Sequence, residues 1–211
     1  MCIIIQFSDL LASVKVFELL EVKVGEAFMT SRPDNALKTD QRSAFIGAMR
    51  RVATSVTVVT TDGPGGRYGA TVSAFSSVSA DPPTILVCLK SESRIARAVA
   101  VNGSLCVNVL PQGSADIARR FAGFDDALVN DRFDGIDHNE KHGTPPTIDG
   151  ATVFCCSLKQ NIVAGSHLIV VGEVQEVRDG MNEPLAYLAG AFHKVVPALE
   201  SSQAGLNGKT A

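Results

Sequence analysis

The sequence lacks the features that mark several common functional classes. It contains no run of lysine or arginine and has a net charge of -3, so it offers no basic surface for nucleic acid. Its apolar start is interrupted by Asp9, Lys15 and Glu18, which makes it too broken to span a bilayer. That start also lacks the basic leader and cleavage site of a secretory signal. These absences predict a cytoplasmic protein.

The five cysteines are irregularly spaced. The number of cysteines is odd, no CxxC pair occurs, and two of them are adjacent within an apolar run. Such thiols are typically reduced and buried, where they behave as small apolar side chains. We therefore expect free thiols at Cys2, Cys88, Cys106, Cys155 and Cys156.

Several catalytic and ligand-binding motifs are also missing. The sequence has neither a GxxxxGK[ST] phosphate loop nor a GxSxG nucleophile elbow. The glycines of GPGGRYG miss the spacing of a dinucleotide fingerprint and predict a hairpin turn instead. His138 and His142 flank Glu140 in a Gly/Pro-rich stretch that is unsuited to a zinc-binding helix, so we favour solvated loop histidines over a metal pair.

What remains is the composition of one globular domain. The chain has 211 residues, of which 45% are hydrophobic and 19% are charged. Residues 1–40 form an N-terminal extension, residues 41–197 the domain, and residues 198–211 a polar tail. A shorter protein could begin at Met29, and our hypothesis is that residues 1–28 reflect a start codon placed too early, which the intact mass of the native protein tests.

The domain alternates β-rich segments with short helical ones. A helix of about three turns is predicted from Gln41, with Phe45, Ile46, Met49 and Val52 on one face. Strands are predicted at 55–61, 68–79, 84–90, 104–110, 151–160 and 166–177, and Ser93 is expected to cap a short helix. A second helix at 113–124 precedes a long loop at 123–150. No parallel βαβ rhythm is present, so the pattern predicts a mainly β fold that closes into an antiparallel barrel.

Two neighbouring segments combine uncharged hydroxyls with cations. The strand with Thr71, Ser73 and Ser77 is either a polar edge or a row of donors for a flat polar ring. The LKSESR run brings Ser hydroxyls, Lys90 and Arg94 to the start of a helix, which favours a phosphate site. His167 precedes a strongly apolar strand, and a histidine in this place is either structural or catalytic.

These segments occur in an order that resembles the flavin reductase family of FMN-binding split barrels. The resemblance covers about residues 42 to 195, and its strongest motif is TxxxFxSVSxxPP at 71–83, supported by GSH before a GEV strand. It implies a homodimer of six-stranded antiparallel Greek-key barrels with short flanking helices. It further implies an NAD(P)H:flavin oxidoreductase that uses FMN or FAD with NADH or NADPH, and supplies reduced flavin to a monooxygenase partner by diffusion.

The resemblance also implies site residues by position. His167 would lie at the nicotinamide as the candidate catalytic residue. Flavin contacts would come from Thr71, Val72, Ser73, Ala74, Ser77, Cys88, Leu89, Lys90, Ser93, Arg94, Phe121, Ala122, Gly190 and Phe192. No metal is implied.

Some positions differ from the family pattern. Members often carry Asn at Ser73 and Asp at Ser166, and many have Gly-x-Tyr where this chain has Gly-Ala-Phe at 190–192.

Two other functions stay open. The same barrel serves electron carriers or oxidases that retain FMN, and a structural β-barrel would use the long loop to contact a partner.

Overall fold

The computed structural model describes residues 39–139, 141, 143–180 and 183–197. Within these ranges the helices are α1 (Thr39–Met49), α2 (Arg94–Asn102) and α3 (Ala115–Ala122). The strands are β1 (Thr54–Ser55), β2 (Thr57–Thr61), β3 (Tyr68–Val72), β4 (Phe75–Ala80), β5 (Pro83–Lys90), β6 (Ser104–Val109), β7 (His138–Asn139), β8 (Thr147–Ile148), β9 (Thr152–Ala164), β10 (His167–Arg178), β11 (Leu185–Leu188) and β12 (Ala191–Lys194).

The strands form one large antiparallel sheet and two small ones. The large sheet has seven strands in the order β3-β2-β6-β9-β10-β5-β4. β1, β11 and β12 form a three-stranded sheet, and β7 pairs with β8. The predicted mainly β, antiparallel fold is confirmed.

The two edges of the large sheet are joined by a very short connection. β3 and β4 lie at opposite edges, yet Val72 ends one and Phe75 begins the other. Three Cα-to-Cα steps span at most about 11 Å, whereas six strand spacings in a flat sheet amount to about 29 Å. The sheet must therefore curl until its edges approach each other, which makes it a barrel opened between β3 and β4.

The segment at 68–79 was predicted as a single strand, and the structure divides it. The break falls at Ser73 and Ala74, so one half pairs with β2 and the other with β5. This division brings the large sheet to seven strands, against the six implied by the resemblance.

Two apolar clusters lie on the two faces of the central strands. In β2, Val59 belongs to the first cluster and Val58 to the second, as the alternation of side chains along a strand requires. The buried face of α2 packs into the first cluster, whereas Phe121 of α3 packs into the second. Both faces of the middle of the sheet are thus buried. Polar side chains that can bind a ligand are therefore expected at the ends of the strands.

Several local predictions are confirmed. Residues 62–67 connect β2 to β3 as a hairpin turn, since Thr61 pairs with Tyr68. Ser93 is the N-cap of α2, and its Oγ accepts a hydrogen bond from the amide of Ala96. The helix predicted from Gln41 is present as α1.

The expectation of five free thiols is wrong for two of them. Cys106 and Cys155 are directly opposed on β6 and β9, and they form a disulfide. Cys156 is a free thiol, and burial raises its pKa to about 12, whereas Cys88 takes no part in this disulfide. Cys2 lies outside the described residues.

The prediction of solvated loop histidines is also wrong for His138. Its ring is half-buried, its Nδ1 lies 2.6 Å from the carbonyl oxygen of Ile136, and its centroid is 5.1 Å from that of Phe133. His142, Glu140 and nearly all of residues 1–40 lie outside the described residues. Within the described part of the chain, no helix is long and apolar enough to cross a membrane.

Candidate functional site

The candidate site begins where β5 ends and β10 starts. Lys90 is paired with His167, and Cys88 with Ile169 two positions further. Directly opposed residues on antiparallel strands share a face, so these side chains lie on the same side of the sheet. Lys90 and His167, which are 77 positions apart in the sequence, therefore stand side by side.

His167 is held by its neighbour and by its surroundings. Its Nδ1 lies 3.0 Å from Oγ of Ser166. Burial, with a smaller contribution from the nearby charge of Lys90, lowers the pKa of His167 below its usual 6.5. The imidazole is therefore neutral at pH 7. Its partner on the adjacent residue is a hydroxyl.

The start of α2 lies directly beyond Lys90. Lys90 and Arg94 are both exposed, and neither forms a salt bridge within the described ranges. The hydroxyl of Ser93 donates to the carbonyl oxygen of Lys90 over 2.6 Å while it caps the helix. Two cations and the first amides of α2 can therefore bind an anion here, whereas the Ser93 hydroxyl is already engaged as a donor.

The break between β3 and β4 forms the next wall. The amide of Cys88 donates to the carbonyl oxygen of Ala74 over 3.0 Å, which joins the break to β5. The hydroxyl of Thr71 donates to the carbonyl oxygen of Ala118 in α3 over 2.7 Å. Thr71 can thus accept a hydrogen bond from a ligand but has no proton left to donate, while Ser73 is half-buried beside it.

Three of the residues predicted to contact the flavin have side chains that are buried in the hydrophobic core. Val72 and Leu89 are buried in the first cluster, and Phe121 is fully buried in the second. Only their backbone atoms can face a ligand. Ser77 is exposed on the edge strand β4, and Ala122 is half-buried at the last position of α3.

The predicted C-terminal contacts lie on a different sheet. Gly190 has a positive φ of 91° in the turn between β11 and β12. The ring of Phe192 packs against Tyr187 with centroids 5.5 Å apart, next to the second cluster. The structure therefore groups Lys90, His167, Arg94 and the 71–74 break on the large sheet and the start of α2, whereas Gly190 and Phe192 belong to the three-stranded sheet.

The sequence prediction missed the part of the long loop that reaches this region. Arg132 donates to the carbonyl oxygens of Gly69 and Phe121, over 3.2 and 2.8 Å, and binds Asp126 with two further hydrogen bonds. The hydrogen bonds from Arg132 lower the pKa of Asp126, and the charge of Arg94 contributes to the same shift. The only signal in the sequence was the cluster of Asp and Arg in a loop of unusual length.

Ser91 is a second residue that the predicted list omitted. Its amide donates to the carbonyl oxygen of Ser166 over 3.0 Å, which links the end of β5 to the start of β10. Its hydroxyl is buried and has no hydrogen-bond partner among the described residues. An unsatisfied buried hydroxyl is uncommon, and this one lies between Lys90 and the α2 cap.

The site thus combines a barrel opened at one strand break, two exposed cations at the N-terminus of α2, and a histidine of lowered pKa that is paired with one of them. A family model for the flavin reductase like domain matches residues 49–195, and the chain belongs to this family. The family resemblance seen in the sequence is confirmed.

Individual relatives agree in name. The chain is 38% identical over 156 residues to a protein named FMN reductase (NADH) RutF from Ancylobacter novellus, which covers 73% of this chain and 85% of that protein. It is 36% identical over 154 residues to a protein of the same name from Stutzerimonas stutzeri. That match covers 72% of this chain and 87% of that protein.

Solved structures agree in fold. The Streptomyces globisporus NADH:FAD oxidoreductase SgcE6, solved with NAD and FAD fragments, matches with a TM-score of 0.68 at 28% identity, covering 79% of this chain and 99% of that chain. A second match is BorF, the flavin reductase component of a bacterial two-component tryptophan halogenase. Its TM-score is 0.66 at 30% identity, and the match covers 74% of this chain and 99% of that chain.

Proposed function

We propose that this chain is an NADH-dependent flavin reductase that binds FMN or FAD, promotes its reduction and releases it for a separate oxygenase. The observation that carries the proposal is the pairing of Lys90 with His167 beside the N-terminus of α2. This pairing puts a phosphate-binding corner and a neutral imidazole on one face of the barrel. The names of the relatives support NADH as the donor.

The residues at the site fit a flavin mononucleotide. Lys90, Arg94 and the first amides of α2 would hold the phosphate, since both side chains are exposed cations without a salt bridge within the described ranges. Backbone groups of residues 71–74 and the acceptor oxygen of Thr71 would face the ring and its ribityl chain. The buried, unsatisfied hydroxyl of Ser91 adds a donor to the same corner.

The flavin supplies the hydride-accepting ring, so the protein's own contribution is positioning. His167 would hold the carboxamide or a phosphate of the nicotinamide and would not act as a proton donor. Its lowered pKa keeps the ring neutral at pH 7. In the tautomer whose Nδ1 accepts from Ser166, the N-H on Nε2 can donate to a carboxamide oxygen. Holding two reactants in contact in this way can lower a barrier by about 7 kcal/mol or more.

This role of His167 is tested by the His167→Ala variant. We expect the KM for NADH to rise by more than kcat falls, because a group that positions the nicotinamide without donating a proton contributes mainly to binding. Steady-state kinetics with saturating FMN provide the measurement. An unchanged KM with a reduced kcat would contradict the assignment.

The phosphate corner is tested by comparing FMN with riboflavin, which lacks the phosphate. Arg94→Ala should weaken FMN binding about tenfold, the loss of one charge-assisted hydrogen bond, and leave riboflavin binding unchanged. Arg97→Ala is the matched control, since Arg97 is an exposed arginine one turn further along α2. Equal losses for FMN and riboflavin would remove Arg94 from the phosphate site.

We also propose that the chain forms a homodimer. α1 and the residues after it expose Phe45, Met49 and Val52, with 52%, 38% and 49% of their surfaces accessible. A cluster of large apolar side chains on one face normally packs against another surface. Light scattering should give twice the chain mass, and Phe45→Glu should shift it towards the monomer. Leu128→Glu, at a position 83% exposed outside this face, is the control. A monomeric wild type would refute the proposal.

The release of reduced flavin is the step that separates a reductase from an electron carrier. Among the matched structures, BorF is named as the flavin reductase component of a two-component halogenase, and another is a homologue of nitrilotriacetate monooxygenase component B. They support a monooxygenase or related oxygenase as the recipient, and a cytoplasmic location, where NADH is available, accords with this role. Protein that retains stoichiometric flavin through gel filtration and oxidises no NADH would favour the carrier instead.

A further inference from the structure

The turn that joins β9 to β10 has a defined backbone shape. Ala164 and His167 are paired at its base, so Gly165 and Ser166 form a two-residue loop. Gly165 has a positive φ of 60°, whereas Ser166 is not among the residues with positive φ. This order of φ signs is that of a type II′ turn, which matches the twist of the two strands it joins. The backbone of the hairpin therefore sets the position of Ser166 beside His167.

A second contact fixes the same turn to the neighbouring strand. The carbonyl oxygen of Ser166 accepts a hydrogen bond over 3.0 Å from the amide of Ser91, which directly follows β5. Ser166 is thus held through its backbone by both the hairpin and the end of β5. Rotation about χ1 remains, and it gives the hydroxyl only a few staggered positions.

The hydroxyl of Ser166 contacts the imidazole of His167. Its Oγ lies 3.0 Å from Nδ1, and the hydroxyl has no other hydrogen-bond acceptor among the residues that the structure describes. A serine hydroxyl always carries a proton to donate. If it donates to Nδ1, the neutral ring carries its own proton on Nε2.

The Nε2 side of the ring is open. Nε2 forms no hydrogen bond within the described ranges, and it is not buried. His167 is paired with Ala164 on β9 and with Lys90 on β5, so neither neighbouring strand places a carboxylate opposite the imidazole. Burial, and to a smaller extent the charge of Lys90, disfavour a second proton on the ring and lower its pKa. Nε2 is therefore available to donate to a ligand.

We propose that Ser166 is a positioning residue, which acts through His167 by fixing the orientation of the ring and keeping its proton on Nε2 for the nicotinamide carboxamide. The proposal rests on the flavin reductase function and deepens the role given to His167. Without the Ser166 hydroxyl, the ring is free to turn about χ2 or to move its proton to Nδ1. Either change removes the donor from the place where the carboxamide would bind.

The kinetic test is a double-mutant cycle of Ser166 and His167. Ser166→Ala should raise the KM for NADH about three- to tenfold with kcat nearly unchanged, as expected for the loss of one neutral hydrogen bond. Ser166→Thr retains the hydroxyl and should keep the wild-type KM. In the His167→Ala background, Ser166→Ala should have no further effect, because the group through which it acts is gone. Equal effects in both backgrounds, or an unchanged KM in Ser166→Ala, would overturn the proposal.

A nuclear magnetic resonance titration of the imidazole tests the proposal without turnover. The nitrogen shifts of His167, assigned by comparison with His167→Ala, should show a neutral ring protonated on Nε2 in the wild type and in Ser166→Thr. Ser166→Ala should show a larger share of the form protonated on Nδ1. Ser166→Asp should raise the pKa of His167, since a carboxylate beside Nδ1 favours the imidazolium. A wild-type ring protonated on Nδ1, or the same pKa in the wild type and Ser166→Asp, would refute the role of Ser166.

The two measurements separate failure of this proposal from failure of the proposed function. A chain that oxidises no NADH with any added flavin would refute the reductase function, whatever the nitrogen shifts show. NADH oxidation without coupling between Ser166 and His167 would leave that function intact and overturn the role of Ser166 alone.

Discussion

Gly69→Ala should destabilise the protein through one crowded contact between β3 and α3. A Cβ at Gly69 would lie 2.5 Å from Cε1 and 2.6 Å from Cδ1 of Phe121, and 3.2 Å from Cζ of Phe133. Carbon atoms in good contact are about 3.5 to 4.0 Å apart, so the Phe121 ring would have to retreat by about 1 Å.

The Phe121 ring cannot shift unless its neighbours in the core also move. Phe121 is fully buried, and its ring meets that of Phe133 edge-on with centroids 4.9 Å apart. Inserting a methyl group into such packing costs about 1 to 3 kcal/mol. The smaller entropy of alanine in the unfolded chain offsets about 0.4 to 1 kcal/mol of this. We expect a net loss of about 1 to 2 kcal/mol, or a fall in Tm of about 2 to 8 °C for a domain of this size.

Thermal and urea unfolding followed by circular dichroism measure this loss. Gly47→Ala is the control, since nothing lies within 4 Å of a Cβ at that helical position. That variant should be as stable as the wild type or more stable, by up to about 1 kcal/mol. A Gly69→Ala protein at least as stable as the wild type would show that Phe121 has room to move, which would refute the packing described for α3.

Three further predictions concern the loop, the core and the histidine. Arg132→Lys should lower stability by about 1 to 3 kcal/mol in urea unfolding, because one ammonium cannot serve Asp126 and two carbonyl oxygens together. Asn108→Ala should cost about 2 kcal/mol or more, since it removes the acceptor of the Ile148 amide and the side-chain donor to the Val58 carbonyl oxygen, both in the core; an unchanged midpoint would contradict the pairing. The lowered pKa of His167 predicts a KM for NADH that stays low at neutral and alkaline pH and rises as the imidazole is protonated at lower pH, with no such rise in His167→Ala.

The pH dependence of stability has a definite sign for the same histidine. Its pKa in the folded state lies below the usual 6.5, so the unfolded chain takes up the proton first as the pH falls. The stability associated with neutral His167 is therefore present above pH 6.5 and is lost as the pH falls through the folded pKa. The urea midpoint of the wild type should therefore fall relative to that of His167→Ala as the pH is lowered.

Local structure could be predicted from the sequence where one residue interacts with near neighbours in the chain. Ser93 caps α2 because a serine before an apolar helical repeat can bind the third amide of the helix. The GPGGRYG turn followed from its glycines and proline in the same way. Helices, turns and most strands were therefore predictable.

Features set by the register of distant strands were not predictable. Nothing in the spacing of Cys106 and Cys155 shows that β6 and β9 place them opposite each other. The break at Ser73 and Ala74 carries neither glycine nor proline, so no local signal divided the strand there. It arises because the sheet closes on itself, which is a property of all seven strands together.

The candidate site likewise has features that could be predicted from the sequence and features that could not. Lys90, Arg94 and His167 could be proposed by resemblance, and the strand register then placed Lys90 beside His167. The contacts of the long loop could not, because Arg132 reaches Gly69 from 63 positions away along the chain. Long-range hydrogen bonds of this kind leave no periodic trace in a sequence.

The most direct test of the central claim is steady-state oxidation of NADH by gel-filtered protein, with FMN, FAD and riboflavin added in turn under anaerobic conditions. The account predicts oxidation only when free flavin is added, saturation with flavin concentration, and recovery of many equivalents of reduced flavin in a filtrate without protein. Protein that keeps one equivalent of flavin through gel filtration, and oxidises no NADH when more is added, would contradict it.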